Sequence, residues 1–133
     1  MHPNEALFAN EGFYLAFAQG DVDAMDRLWS ANASVLCVHP GWSALTTRAA
    51  VMESWDRILE NPSRPQIAFQ VQAVVPMGGV MAVVCYEQLQ GAVMLASNLY
   101  LEEAQTVRMV GHHAGVCANP PPLPEAKEPR LDG

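Results

Sequence analysis

The feature that most constrains this chain is a change of hydrophobic period near residue 66. Upstream, apolar residues recur every three to four positions; downstream come four β-type runs, Gln66 to Val75, Val80 to Leu89, Val93 to Leu101 and Thr106 to Ala114. The connections between them are Pro76-Met77-Gly78-Gly79, Gln90-Gly91 and Glu103-Ala104-Gln105. Connections this short force successive strands to pair antiparallel as a meander, because a parallel return needs a crossover of about a dozen residues or more.

The upstream part reads as helix, helix, strand, helix. Ala6, Asn10, Phe13, Tyr14 and Phe17 fall on one arc of a helix spanning Asn4 to Gln19, and Gly20 stops it. Asp21 caps a second helix carrying Val22, Met25, Leu28 and Trp29 at helical spacing, broken by Ala31-Asn32-Ala33. Ser34 to His39 is a short strand ended by Pro40-Gly41; Thr47 then caps a third helix with Val51, Trp55, Ile58 and Leu59 on one side, closed by Asn61-Pro62. Helices segregated before an antiparallel sheet imply the α+β class, with the helices covering one face of a curved sheet. The 133 residues suit a single domain, set at 1–117. Residues 118–133 hold half of the ten prolines and few apolar residues, so a mobile extension is expected there.

Composition removes several function classes. Asp and Glu number 14 against 7 Lys and Arg, a formal charge of −7, and the basic residues are scattered, so nucleic acid is not an expected partner. The longest apolar stretch, Val80 to Tyr86, is far short of the ~20 residues of a membrane helix. Cys37, Cys85 and Cys117 are far apart and odd in number, as expected of reduced thiols. With no export signal at the N-terminus, a cytoplasmic location is expected. No P-loop, dinucleotide-binding glycine signature, nucleophile elbow or Cys-x-x-Cys is present, and no cofactor is expected.

Several local patterns carry a resemblance. They are Phe13-Tyr14-x-x-Phe17 with Gly20-Asp21-x-x-Ala24-Met25, Cys37-Val38-His39-Pro40-Gly41-Trp42, Val51-x-x-Ser54-Trp55, Asn98-Leu99-Tyr100, and Arg108 through Ala114. Together with the element order, they resemble the SnoaL-like branch of the nuclear transport factor 2-like superfamily, which includes ketosteroid isomerases, scytalone dehydratase and a kinase association domain. The resemblance spans about Asn4 to Val116. It implies a cystatin-like cone: three N-terminal helices on a strongly curved, mainly antiparallel sheet, a pocket at the open end, and homodimers formed through the outer sheet face. The chain departs from the family at Thr47 and Gly111, where members often carry glycine and histidine.

Within that frame His39 is the leading candidate for chemistry. It precedes Pro40, which holds its backbone extended, and it resembles in place the general-base aspartate of the ketosteroid isomerases. An imidazole there has an ordinary pKa of ~6.5, suited to moving a proton; the other reading is a histidine hydrogen-bonded at a strand end. Tyr14 resembles the hydrogen-bond-donating tyrosine of those enzymes and otherwise reads as a core residue with a partnered hydroxyl. Of the adjacent His112 and His113, strict alternation from Val107 and Met109 turns His113 inward as a third catalytic candidate and His112 outward. Phe17, Cys37, Trp42, Trp55 and Asn98 complete the expected ligand-binding set, with the tryptophans at the cavity mouth suiting an aromatic ligand. Asn98, Glu87 and Ser97 are the candidates for a second donor. Histidines on opposite faces, with no helical i,i+4 pair, argue against a metal site.

Two functions follow. One is a homodimer binding a small apolar or aromatic molecule in the cone. The other is a cofactor-free isomerase, dehydratase or cyclase using His39 as general base.

Overall fold

The computed structural model describes residues 1–123. Three helices, α1 (Pro3–Gln19), α2 (Val22–Leu28) and α3 (Arg48–Glu60), accompany five strands: β1 (Leu36–Val38), β2 (Ala68–Met77), β3 (Val80–Leu89), β4 (Ala92–Glu103) and β5 (Thr106–Val116). The sheet order is β1-β5-β4-β3-β2. The meander β2 to β5 is antiparallel throughout, and β1 adds to its far edge parallel to β5. The class is α+β, and the element order is the one read from the hydrophobic periods. Residues 118–123 carry neither helix nor strand; the rest of the expected extension, 124–133, lies outside the described residues.

Local chemistry sets the ends of the helices. Asp21 and Thr47 each accept from a backbone N–H three residues on, capping α2 and α3. Gly20 ends α1 in the left-handed conformation (φ 64°), where a side chain would be strained. Its amide reaches back to the last turn of the helix. Arg64 ties the C-termini of α1 and α3 together: Nε donates to Phe17 O, Nη2 to Ala18 O and Nη1 to Leu59 O. A guanidinium at two helix C-termini also answers both helix dipoles.

The expected arc of α1 is the buried one: Ala6, Asn10, Phe13, Tyr14 and Phe17, joined by Ala16, face the sheet. The core they build takes in Met25, Trp29, Val51, Trp55, Val83, Cys85, Tyr100 and Met109. All three cysteines are free thiols.

Two irregularities bend the sheet. One lies between Val71 and Ala73 on β2, the other where β4 residues Leu99 and Tyr100 pair with Gly111 and Met109 of β5. In the second, Val110 is the extra residue of a β-bulge, which adds twist and curvature. It also shifts the alternation of β5 by one position, so that Met109 and His112 both point into the cone. His113 is therefore on the exposed outer face, which corrects the expectation that it looks inward. Gly111 stands where Leu99 crosses closest. A Cβ there would come within 2.8 Å of Leu99 Cδ1, so any side chain at this position would displace this leucine.

Candidate functional site

The open end of the cone holds a cavity of about 270 Å³. Phe13, Tyr14 and Phe17 of α1, Trp55 and Ile58 of α3, and Ile67, Leu89 and Met94 supply most of an apolar wall. His39, His112 and Glu87 interrupt it. Trp42, 44% exposed, stands at the rim, whereas Trp55, 2% exposed, is part of the wall and not of the mouth.

His39 reaches the cavity because β1 ends at Val38 and Pro40 turns the chain away. Its ring is 4% exposed, with Trp42 and Trp55 edge-on at centroid distances of 4.7 and 4.6 Å. Nε2 lies 2.8 Å from Ser54 Oγ. The Ser54 hydroxyl donates to Val51 O at 2.6 Å, so its single proton is spent there. His39 Nε2 is then the protonated nitrogen and donates to Ser54, which leaves the Nδ1 lone pair free of a proton. Burial lowers the imidazole from 6.5 to about 4, so the ring is neutral at pH 7. Cys37 lies behind it, Sγ 3.5 Å from Nε2, and burial pushes its thiol up to about 12. Cys37 supports the ring and does not line the cavity.

A second polar line crosses the floor of the cone with one direction throughout. His112 Nδ1 is 2.6 Å from Asn98 Oδ1. Asn98 Nδ2 donates to Tyr14 Oη at 3.1 Å and to Asn10 Oδ1 at 2.9 Å. Tyr14 then donates to Glu87 Oε2 at 2.6 Å. Asn98 Oδ1 is an acceptor only, so Nδ1 of His112 carries the proton and Nε2 keeps the lone pair. Burial first, then the proximity of His39 and His113, lowers His112 to about 3, leaving it neutral as well. Burial raises the Glu87 carboxyl, and the hydrogen bond from Tyr14 offsets part of that rise. Tyr14 is held well above its ordinary value, by burial and then by Glu87, so it remains a phenol. Its ring stacks on Phe69 at 4.1 Å, which fixes where the hydroxyl points.

The structure thus brings Tyr14, Phe17, His39, Trp42 and Trp55 to one cavity. Asn98 lies beneath it, fully buried, as the joint of the floor network. His113 takes no part, and His112 occupies the inward place. Glu87, weighed above as one of three donors, is the acidic residue of the lining. The signal for Glu87 was available in the strict alternation of β3, which puts it on the face of Val83 and Cys85. The signal for His112 was not available, because nothing local in the sequence marks Val110 as a bulge. Among the described residues no three His, Cys, Asp or Glu side chains group as metal ligands, and no helix is long and apolar enough to cross a membrane.

The SnoaL-like domain family model matches residues 7–119. The chain belongs to this SnoaL-like family. No curated protein sequence matches it. Among solved structures, a "putative dehydratase from the NTF2-like family" of Streptomyces avermitilis is 26% identical, with a TM-score of 0.78 over 87% of this chain and 96% of that one. A "putative calcium/calmodulin-dependent protein kinase type II association domain" of Thiobacillus denitrificans is 28% identical, with a TM-score of 0.73 over 82% of this chain and 92% of that one. A cystatin-like fold protein of Burkholderia xenovorans, 14% identical with a TM-score of 0.69 over 89% of this chain and 93% of that one, shares the fold. These likenesses place the SnoaL-like cone of this chain in the NTF2-like, cystatin-like architecture.

Proposed function

We propose that this SnoaL-like protein binds a small, largely apolar or aromatic molecule in the cone and works as a homodimer. The observation that carries the binding reading is the cavity itself: about 270 Å³, mostly apolar walls, and a few polar groups converging from separate elements. Scaled from a ~150 Å³ cavity that takes benzene, it suits roughly ten non-hydrogen atoms. Titration with 1-indanone should show saturable binding that Phe17→Arg abolishes; no saturation up to ~1 mM would overturn the reading.

The homodimer reading comes from the other face of the sheet. The pairs Tyr86 with Leu95, Val84 with Ser97 and Ala82 with Leu99 lie opposite the buried Val83, Cys85 and Glu87. All three helices pack on the inner side, so the outer face keeps Val75 and Leu95 exposed. One similar structure is named an association domain. Sedimentation at micromolar concentration should give a dimer, Leu95→Glu should dissociate it, and a wild-type monomer would sink it.

A second reading, proton-transfer catalysis of the isomerase or dehydratase type, is favoured by the neutral His39 beside the Tyr14–Glu87 pair in one apolar cavity. One similar structure is named a putative dehydratase. His39 Nδ1 would accept the proton while the protonated Glu87 carboxyl, its second oxygen held by Tyr14, polarises the substrate oxygen. His39→Gln should then lower turnover of a substrate ~10²-fold or more while binding survives. Unchanged turnover would remove His39 from the mechanism.

A further inference from the structure

Two acceptor atoms of the cavity lining have no side-chain partner. Tyr14 donates to Glu87 Oε2, which leaves Oε1 over, and His112 spends its Nδ1–H on Asn98, which leaves the Nε2 lone pair over. Glu87 and His112 both line the cavity and are otherwise buried, 3% and 4% exposed. Among the described residues, the polar side-chain atoms that are both unpartnered and sealed off are Trp29 Nε1, Trp55 Nε1 and Gln88 Nε2. Glu87 Oε1 and His112 Nε2 do not belong with them, so the little surface these two residues keep includes an open acceptor on each.

The donors of the same lining are spent. Tyr14 donates to Glu87, His112 Nδ1 to Asn98 and His39 Nε2 to Ser54, while the Trp55 N–H is sealed within the wall. Apart from a proton on Glu87 itself, the lining offers lone pairs, and the ligand that suits it brings the N–H or O–H groups. Charge narrows the choice. Glu87 is the acidic residue of the lining, no lysine or arginine among the described residues joins it there, and the whole chain carries a formal −7. An anion entering the cavity would lose its hydration with no cation to replace it. A hydroxyl brings a single donor and no charge, whereas a primary ammonium brings three donors and the charge that strengthens a hydrogen bond to a carboxylate.

We propose that the cavity takes a primary amine on a compact apolar body of roughly ten non-hydrogen atoms, its ammonium donating to Glu87 Oε1 and its body lying against Phe13, Phe17 and Met94. The other open lone pair, on His112, is tied to Glu87 through Asn98 and Tyr14 along the floor of the cone. Burial favours the acid form of Glu87 in the free protein; an ammonium beside Oε1, together with the Tyr14 hydroxyl on Oε2, favours the carboxylate, and the proton passes to solvent as the ligand enters. This rests on the cavity-binding reading and adds the chemical class of the ligand and the residue that recognises it.

Calorimetric titration with 1-aminoindane, 1-indanol and indane separates the two levels, because the three share one apolar body. The wild-type protein should bind 1-aminoindane at least ~10-fold more tightly than either of the others, as a hydrogen bond to a charged group allows. Glu87→Gln keeps the size of the side chain and an acceptor for Tyr14 but removes the charge, so it should bring 1-aminoindane to within ~3-fold of 1-indanol and leave indane unchanged. A measurement that needs no variant is the resonance of the Glu87 carboxyl carbon, which should move on adding 1-aminoindane and stay in place with indane. An amine bound no more tightly than 1-indanol would overturn the selection of a cation while leaving the binding cavity intact. An amine preference that survives Glu87→Gln, or a Glu87 resonance indifferent to the amine, would overturn Glu87 as the anchor. Failure of all three compounds to bind would overturn the cavity reading itself.

Discussion

The closed and open ends of the cone are built from similar residues and reach opposite results. At the closed end Asn10, Asn98 and Tyr100 are fully buried, and every polar side-chain group has a partner: Tyr100 Oη donates to Asn10 Oδ1 at 2.8 Å, and Asn10 Nδ2 donates to Cys85 Sγ at 3.3 Å. At the open end His112 Nε2 and the second oxygen of Glu87 have no side-chain partner, and both residues line about 270 Å³ of space. Where polar groups are paired with one another they hold the structure together; where their partners are missing they are available to a ligand. The floor network joins the two ends, because Asn98 touches Asn10 on one side and His112 and Tyr14 on the other.

The largest expected effect tests that joint. Asn98→Leu leaves His112 Nδ1–H, Tyr14 and Asn10 each short of a buried partner, and urea unfolding should show a loss of about 3 kcal/mol or more. A loss under about 1 kcal/mol would mean that the network is not structural.

Acid should act on the open end next. His39 and His112 have folded pKa values of about 4 and about 3, below the ordinary 6.5. Between these values and 6.5 the unfolded chain binds the extra protons, so the stability from the neutral rings is complete above pH ~6.5 and is lost as pH falls toward 4 and 3. Glu87 has the opposite sign: its raised pKa makes the folded state take up its proton first, which returns part of the loss as pH falls. Two histidines against one carboxyl leave a net loss of stability as pH falls from 7 to 5, readable from urea midpoints. His112→Asn should flatten that slope, and a pH-independent midpoint in the wild type would contradict the buried neutral imidazoles.

Arg64 is the brace of the open end, since Pro65 and Ile67 beside it line the cavity. Arg64→Met should cost about 1.5 kcal/mol and weaken 1-indanone binding; unchanged stability would show that the helix C-termini need no brace. The smallest effect belongs to the exposed His113, where His113→Ala should stay within about 0.5 kcal/mol and leave binding unchanged. A clear loss of affinity there would reverse the assignment of the two histidines.

The sequence by itself determined whatever depends on local period and local chemistry. The five arc residues of α1 are all buried, Asp21 and Thr47 are the caps, and the turn after Leu89 falls at Gln90-Gly91, because each is decided by the nearest few residues. His39 was legible for the same reason: a strand ending at a proline aims the preceding side chain. The edge position of β1, parallel to β5, was decided by tertiary structure, because sheet order is a long-range choice. So was the face of His112. One extra residue at Val110, accommodated by the crossing of Leu99 over Gly111, turns β5 over, and a period of two has no memory across such a bulge. The pairing of Glu87 with Tyr14, 73 residues apart in the chain, likewise exists only once β3 curls around α1.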